Sequence, residues 1–215
     1  MRYPQTYLDQ IRKEIPQIAF SLFSKNTIET VTMQDIADAC PLGVATLYRY
    51  YGTKTNLVID ICAGQWTIIF QEMETLYQEL GGEEFTARQD LEFYLDSFIR
   101  LYQHHKDFLK FYDNFEHYIL HEHPSPEELA PYYRAVSIFQ KNFCQKYRKT
   151  FTDHTLKENL NPDDLYFGIR YAMLPTVTAY AQESILPGRE NIDPNNILKI
   201  QKTAYLDYLS QYCSL

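Results

Sequence analysis

The side chains best equipped for chemistry lie close together near the amino terminus. Thr46, Tyr48, Arg49 and Tyr50 bring hydroxyls and a guanidinium into one short stretch, and Lys54 adds an ammonium. Hydroxyl and guanidinium groups donate to phosphate oxygens and to the edges of bases. Lys54 falls in the first turn of an expected helix, where backbone N–H groups without intrahelical partners help an ammonium hold one phosphate. A second cluster joins His117, His121 and His123 to Asp113, Glu116 and Glu122. Asp113, His117 and His121 recur at i, i+4 and i+8, a spacing that permits a metal ion. A histidine-rich, solvated helix end before the break at His123-Pro-Ser-Pro126 accounts for the same residues, and no metal is expected. The chain has no Gly-rich phosphate loop, no nucleophile elbow and no HExxH, so neither a catalytic role nor a cofactor is expected.

The elements that must position the first group are legible around it. Ile11, Ile15, Ile18, Ala19, Leu22 and Phe23 repeat at helical spacing, with Pro16 as an awkward interior residue. Thr32-Met-Gln-Asp35 is a capping pattern that opens a helix burying Met33, Ile36, Ala37 and Cys40. Pro41-Leu42-Gly43 breaks that helix, and Val44 to Tyr51 forms another, with Leu47 and Tyr51 turned inward. Two short helices separated by three residues have helix-turn-helix spacing, which also occurs in cores that never meet DNA. Gly52 stops the second helix, and Thr53 caps a long one that runs to Leu80 before Gly81-Gly82.

These residues also carry a resemblance. Residues 15 to 57 resemble the amino-terminal domain of the TetR family of repressors through Ile15, Ala19, Leu22-Phe23, Thr32-Met33 and Asp35-Ile36-Ala37. The run Thr46-Leu47-Tyr48-Arg49-Tyr50-Tyr51-Gly52-Thr53-Lys54-Thr55-Asn56-Leu57 is the specific part, and it is similar to the family's T-L-Y-x-Y-F-x-[ST]-K-x-x-L pattern. The resemblance implies a homodimer on double-stranded operator DNA, with two recognition helices in successive major grooves of a near-palindromic site. It implies that Thr32, Tyr48, Tyr50 and Lys54 hold the DNA backbone while Gly43, Val44, Ala45, Thr46 and Arg49 face the bases. The turn departs from the family's Gly-Val-Ser-x-Gly: Pro41-Leu42-Gly43-Val44-Ala45 lacks the capping Ser, and Val44 stands where a polar residue is usual. The operator sequence therefore does not transfer.

Composition is that of an ordinary folded protein, with 45% hydrophobic and 22% charged residues. The net charge of −8 is unevenly spread: residues 1–57 carry six Lys/Arg against five Asp/Glu, leaving 14 against 23 for residues 58–215. A near-neutral head binds phosphates through a few placed cations while the acidic body stays clear. The expected division is a DNA-binding domain over 1–57 and an effector-binding and dimerisation domain over 58–215. Cys40, Cys62, Cys144 and Cys213 are scattered and read as buried hydrophobes. With no apolar span and no secretory pattern, a cytoplasmic protein with no membrane partner is expected.

Helical periods continue to the carboxyl terminus without sustained alternation, which predicts an all-α protein of about nine helices. Breaks or starts are predicted at Phe85, Lys106, Ser125, Asn161-Pro162, Pro187-Gly188 and Asp193-Pro194, with one helix from Ser125 to about Thr150. In the TetR family the last two long helices dimerise, so Tyr171, Leu174, Val177, Tyr180, Tyr205, Tyr208, Leu209 and Tyr212 are the expected dimer surface, with burial in their own monomer as the alternative. Rings concentrate in the middle of the chain. Trp66, Phe70, Tyr94, Phe98, Tyr102, Phe111, Tyr112, Phe115, Phe139, Phe143 and Tyr171 are candidates to line a pocket for an apolar or aromatic small-molecule effector, with Arg100, Arg134 and Arg170 as polar handles. Control by a protein partner rather than a small molecule remains open at this level.

Overall fold

The computed structural model describes residues 5–182 and 192–210. These residues form α1 (Gln5–Phe23), α2 (Met33–Ala39), α3 (Val44–Tyr51), α4 (Lys54–Glu79), α5 (Ala87–His104), α6 (Lys106–Glu122), α7 (Pro126–Tyr147), α8 (Thr150–Asp153), α9 (Pro162–Ala181) and α10 (Pro194–Leu209). The expected all-α fold is therefore the observed one. Nine helices have seven residues or more among the described residues, and α8 is a single turn.

Local chemistry sets most boundaries. Thr32 and Asp35 form the reciprocal capping box expected before α2. Ser125 and Glu128 do the same before α7, through Ser125 N to Glu128 Oε2 at 2.8 Å and Glu128 N to Ser125 Oγ at 3.2 Å. Asn161 and Asp193 cap α9 and α10, each followed by Pro at the first helical position. The helix end expected at Pro187-Gly188 lies outside the described residues.

Two turns depart from the sequence reading. After Gly81, Gly82–Glu84 forms a short 3-10 turn instead of a plain stop. Tyr77 lies against that turn: its hydroxyl donates to the Gly82 carbonyl, and a Cβ on Gly82 would fall 2.4 Å from the Tyr77 ring. The helix expected to reach Thr150 ends at Tyr147, and α8 follows as a separate turn closed by His154 at φ 55°.

Packing divides the chain into two compact units, Met1–Thr67 with Lys110–Val136 and Ile68–Leu109 with Ser137–Leu215. The first unit takes in more chain than residues 1–57 because ring contacts tie α1 to α6. Phe20 and Phe23 meet Phe111 with centroids 5.6 and 6.2 Å apart. Ile15, Ala19, Phe23, Ile28, Ile36, Leu47 and Leu57 are fully buried in this unit, and each large apolar side chain so buried contributes roughly 1.5–3 kcal/mol.

In the second unit α5 packs against α9 and α10. Lys202 of α10 bridges Asp96 and Glu92 of α5 at 2.8 Å each. Asp90, buried on α5, shares the Tyr77 hydroxyl with the Gly82 carbonyl, with Tyr77 Oη 2.7 Å from one carboxylate oxygen and the Lys149 ammonium 3.2 Å from the other. Asp153 of α8 accepts the Ala87 N–H at 2.6 Å and so caps the start of α5 from a distant part of the chain. Burial pushes the Asp153 carboxyl up, but hydrogen bonds from Thr155 and Ala87 outweigh it and leave the pKa below the ordinary value. A pKa depressed by folding stabilises the protein above the unfolded value and ceases to do so as pH falls through the folded one. Asp153→Ala is expected to cost about 1 kcal/mol in urea unfolding at neutral pH, with the difference from wild type shrinking as pH drops below the ordinary carboxylate range.

Candidate nucleic-acid interface

Helix α3 is only eight residues long, so its position comes from packing and caps rather than from its own stability. Leu47 is fully buried and anchors it. With that face fixed, Ala45, Tyr48 and Arg49 are exposed on the opposite one, at i, i+3 and i+4. Tyr48 leaves half of its surface to solvent. Val44, Thr46 and Tyr50 are half-buried along the flanks. The Tyr50 ring carries the Arg12 guanidinium 5.2 Å from its centroid and that of Arg49 at 5.4 Å. Two cations on one ring hold the phenol at the edge of the exposed face.

Gly43 is the N-cap of α3 with φ −74° and ψ 151°, and it supplies no side-chain bond. A Cβ there would meet no heavy atom within 4 Å, so the fold leaves room for the capping Ser that the sequence lacks. At the other end, Gly52 sits at φ 72° and donates its N–H to the Tyr48 carbonyl at 2.8 Å. Only glycine adopts that backbone without strain. Asn56 Nδ2 donates to the Tyr51 carbonyl at 3.0 Å, and the Asn56 N–H donates to Thr53 Oγ1 at 3.1 Å. One residue thus closes α3 and receives the cap of α4, which fixes the angle between the two helices.

Thr32 and Lys54, the candidate backbone contacts beyond α3, already have internal partners. The Thr32 hydroxyl is 2.6 Å from Asp35 Oδ2 and accepts the Asp35 N–H at 3.1 Å. Lys54 Nζ donates to the Glu29 carbonyl at 3.3 Å and stands 5.6 Å from the centroid of the Tyr118 ring. Partial burial lowers the Lys54 pKa, and the charges of Glu29, Glu122 and Asp35 offset part of that effect. The Thr55 hydroxyl meets Tyr118 Oη at 3.0 Å and Glu122 Oε2 at 3.3 Å. Sequence reasoning did not connect Thr55 with Tyr118 or Glu122, since more than 60 positions separate them.

The candidate effector residues fall into different groups. In the first unit Trp66 meets Tyr112 edge-on at 5.4 Å, Tyr112 neighbours Phe115 at 6.0 Å, and Tyr112 Oη lies 3.0 Å from Tyr132 Oη. Phe111 packs against α1. In the second unit Phe70 stacks on Phe139 at 4.5 Å, and Tyr94 contacts Phe98, Phe139, Phe143 and Tyr166. Burial raises the Tyr94 pKa far above that of a free phenol, so the ring stays neutral. Tyr102 neighbours Tyr180 at 6.3 Å, whereas Tyr171 is 68% exposed. Of the arginine handles, Arg170 lies 5.9 Å from the Tyr171 ring, and Arg100 Nε is buried with no hydrogen-bond partner among the described residues.

The expected dimer residues also divide. Leu174, Val177 and Leu209 are buried inside the protomer, because the faces of α9 and α10 that carry them pack inward. Tyr171 and Tyr208 point to solvent, Tyr180 and Tyr205 are half-buried, and Tyr212 lies outside the described residues. In the histidine cluster, His117 Nδ1 is 2.8 Å from the Asp113 carbonyl and His121 Nδ1 is 3.4 Å from Glu122 Oε1. Among the described residues no three His, Cys, Asp or Glu side chains converge as a metal site, and no helix is long and apolar enough to cross a membrane.

A buried-anchor recognition helix behind a capped α2, with hydroxyl and guanidinium groups outward, defines a helix-turn-helix DNA-binding regulator. Residues 17–61 match the family described as bacterial regulatory proteins, tetR family. Over those residues the chain carries that family's amino-terminal domain, and it is a DNA-binding transcriptional regulator. No curated protein matches the sequence significantly. Solved structures share the fold across nearly the whole chain. The ketosteroid transcriptional regulator KstR2 of Mycobacterium tuberculosis is 15% identical with TM-score 0.62, covering 94% of this chain and 95% of its own. A transcriptional regulator from Saccharomonospora viridis in complex with choline is 13% identical with TM-score 0.69, covering 95% and 100%. The regulator FadR from Bacillus subtilis in complex with stearoyl-CoA is 15% identical with TM-score 0.64, covering 91% and 97%.

Because Gly52 holds the only left-handed residue between α3 and α4, Gly52→Ala is expected to destabilise the protein by about 1 kcal/mol or more. Thermal unfolding followed by circular dichroism measures it.

Proposed function

We propose that the protein is a repressor that binds a near-palindromic operator as a homodimer and leaves it when a small molecule binds the helical body. The observation that carries the DNA contact is the exposed face of α3, where Tyr48 and Arg49 stand opposite the buried Leu47. Arg49, Ala45 and Thr46 read base edges with Gly43 and Val44 beside them, while Tyr48, Tyr50, Thr32 and Lys54 hold phosphates. For Lys54 this requires exchanging the Glu29 carbonyl for a phosphate oxygen. Residues 1–57 act as the DNA-binding domain and residues 58–215 as the effector and dimer domain.

The dimer forms through the outward faces of α9 and α10. Exposed Ile200 and Tyr208 share one face of α10 at i and i+8, and Tyr171 is the matching exposed ring on α9. Three large exposed side chains on two helices that both pack on α5 are what an interface would cover. An apolar or aromatic effector is supported by the ring group around Tyr94 and by the unpaired Arg100 Nε, which offers one polar anchor to a ligand. Solved relatives of the same fold carry choline and stearoyl-CoA. The effector lowers DNA affinity only if it binds the DNA-free form more tightly than the DNA-bound form.

Selection of bound duplex from random sequence tests the DNA reading, and recovery of no sequence preference by the full chain refutes it. Compounds that release the selected duplex then identify the effector. Lys54→Ala is expected to reduce the salt dependence of binding by about one phosphate contact while leaving the preferred sequence unchanged. Tyr208→Asp combined with Ile200→Asp is expected to halve the mass seen by light scattering and to weaken binding to the two-half-site duplex; an unchanged mass removes this face from the dimer.

A further inference from the structure

Helix α6 brings a carboxylate to the place where a phosphate is expected. Tyr118 and Glu122 lie one turn apart on α6 and face the first turn of α4, within the same compact unit. Glu122 accepts from the Thr55 hydroxyl at 3.3 Å, so the Thr55 oxygen in turn accepts from Tyr118 Oη at 3.0 Å. Lys54 stands beside this chain of donors, its ammonium over the Tyr118 ring. Three features that suit an anion therefore meet at one point: a hydroxyl, an ammonium and the start of a 26-residue helix. The anion already there is the protein's own. His121 Nδ1 lies 3.4 Å from the second oxygen of the same carboxylate.

We infer that Glu122 is an internal occupant of the phosphate seat at the start of α4, so that DNA gains its contact with Lys54 and Thr55 only by displacing the end of α6. The inference rests on the reading of Lys54 as a phosphate contact. A carboxylate and a phosphate drawn to the same donors repel each other, and one ammonium and one hydroxyl do not satisfy both. Two acids remain near Lys54 after Glu122 has left, Glu29 and Asp35, but Asp35 is committed to the α2 capping box and Glu29 supplies its backbone carbonyl. Glu122 is the acid whose carboxylate bonds the first turn of α4 directly. Whatever holds the last turn of α6 against α4 then opposes DNA binding, and whatever draws it away favours binding. Glu122 is thus a positioning residue of the DNA contact, although it touches no DNA.

The test uses the full chain and a fluorescent duplex of random sequence, because a phosphate contact does not depend on base sequence. Wild type, Glu122→Gln, Glu122→Ala, Lys54→Ala and the double variant Lys54→Ala/Glu122→Gln are titrated across a salt series after circular dichroism confirms folding. Removing the competing charge is expected to tighten binding by about fivefold at low salt in both Glu122 variants. The gain is expected to vanish in the Lys54→Ala background. Unchanged or weaker binding by both Glu122 variants overturns the inference, as does a gain that survives without Lys54; either result leaves the DNA-binding reading standing. Failure of wild type and every variant to bind duplex overturns that reading and this inference with it.

Discussion

Helix α3 is too short to persist alone, since an eight-residue segment forms too few hydrogen bonds to repay the cost of starting a helix. Burial of Leu47 supplies what propensity cannot, and it fixes which side of the helix is left over. Ala45, Tyr48 and Arg49 are exposed because Leu47 is not. The neighbouring caps complete the constraint: Asn56 closes α3 and receives the cap of α4, while Thr32 and Asp35 hold the start of α2. Every functional reading of the first unit depends on that one inward side chain and the rigid turn that follows it.

The same unit shows how a DNA-binding segment is supported from far along the chain. Phe111 of α6 packs on Phe20 and Phe23 of α1, and one to three turns later Phe115, Tyr118 and Glu122 continue the contact toward Tyr132 and the start of α4. The helix-turn-helix is therefore part of a larger core. A change in α6 reaches the first turn of α4 through side chains in direct contact, and the acidic balance of the body has one specific expression there, in Glu122.

The second unit places its charges differently. Asp90 is buried between the Tyr77 hydroxyl and the Lys149 ammonium, and Lys202 is shared by two acids on α5. Removing one partner of buried Asp90 costs more than forming the cluster gains, so Tyr77 and Lys149 specify how α5 meets α4 and the turn between α7 and α8, while Lys202 links α5 to α10. The tyrosine excess is absorbed mostly by ring contacts, as around Tyr94. Tyr48, Tyr133, Tyr171 and Tyr208 keep exposed rings.

The amino-acid sequence alone determined the helical class, most helix starts and the outward face of α3, because caps, proline positions and the 3.6-residue period are local physics. Thr32 with Asp35, Ser125 with Glu128 and Asn161 with Pro162 are readable without knowing what lies beyond the next turn. The sequence did not reveal that Trp66 and Phe70, one turn apart on α4, join different compact units, or that Leu174 and Val177 turn inward while Tyr171 turns out. Those outcomes depend on which helix packs on which face, a matter of contacts between residues far apart in the chain. Glu122 shows the difference most clearly: its type marked it as one acid near three histidines, and only the tertiary structure set it against Thr55.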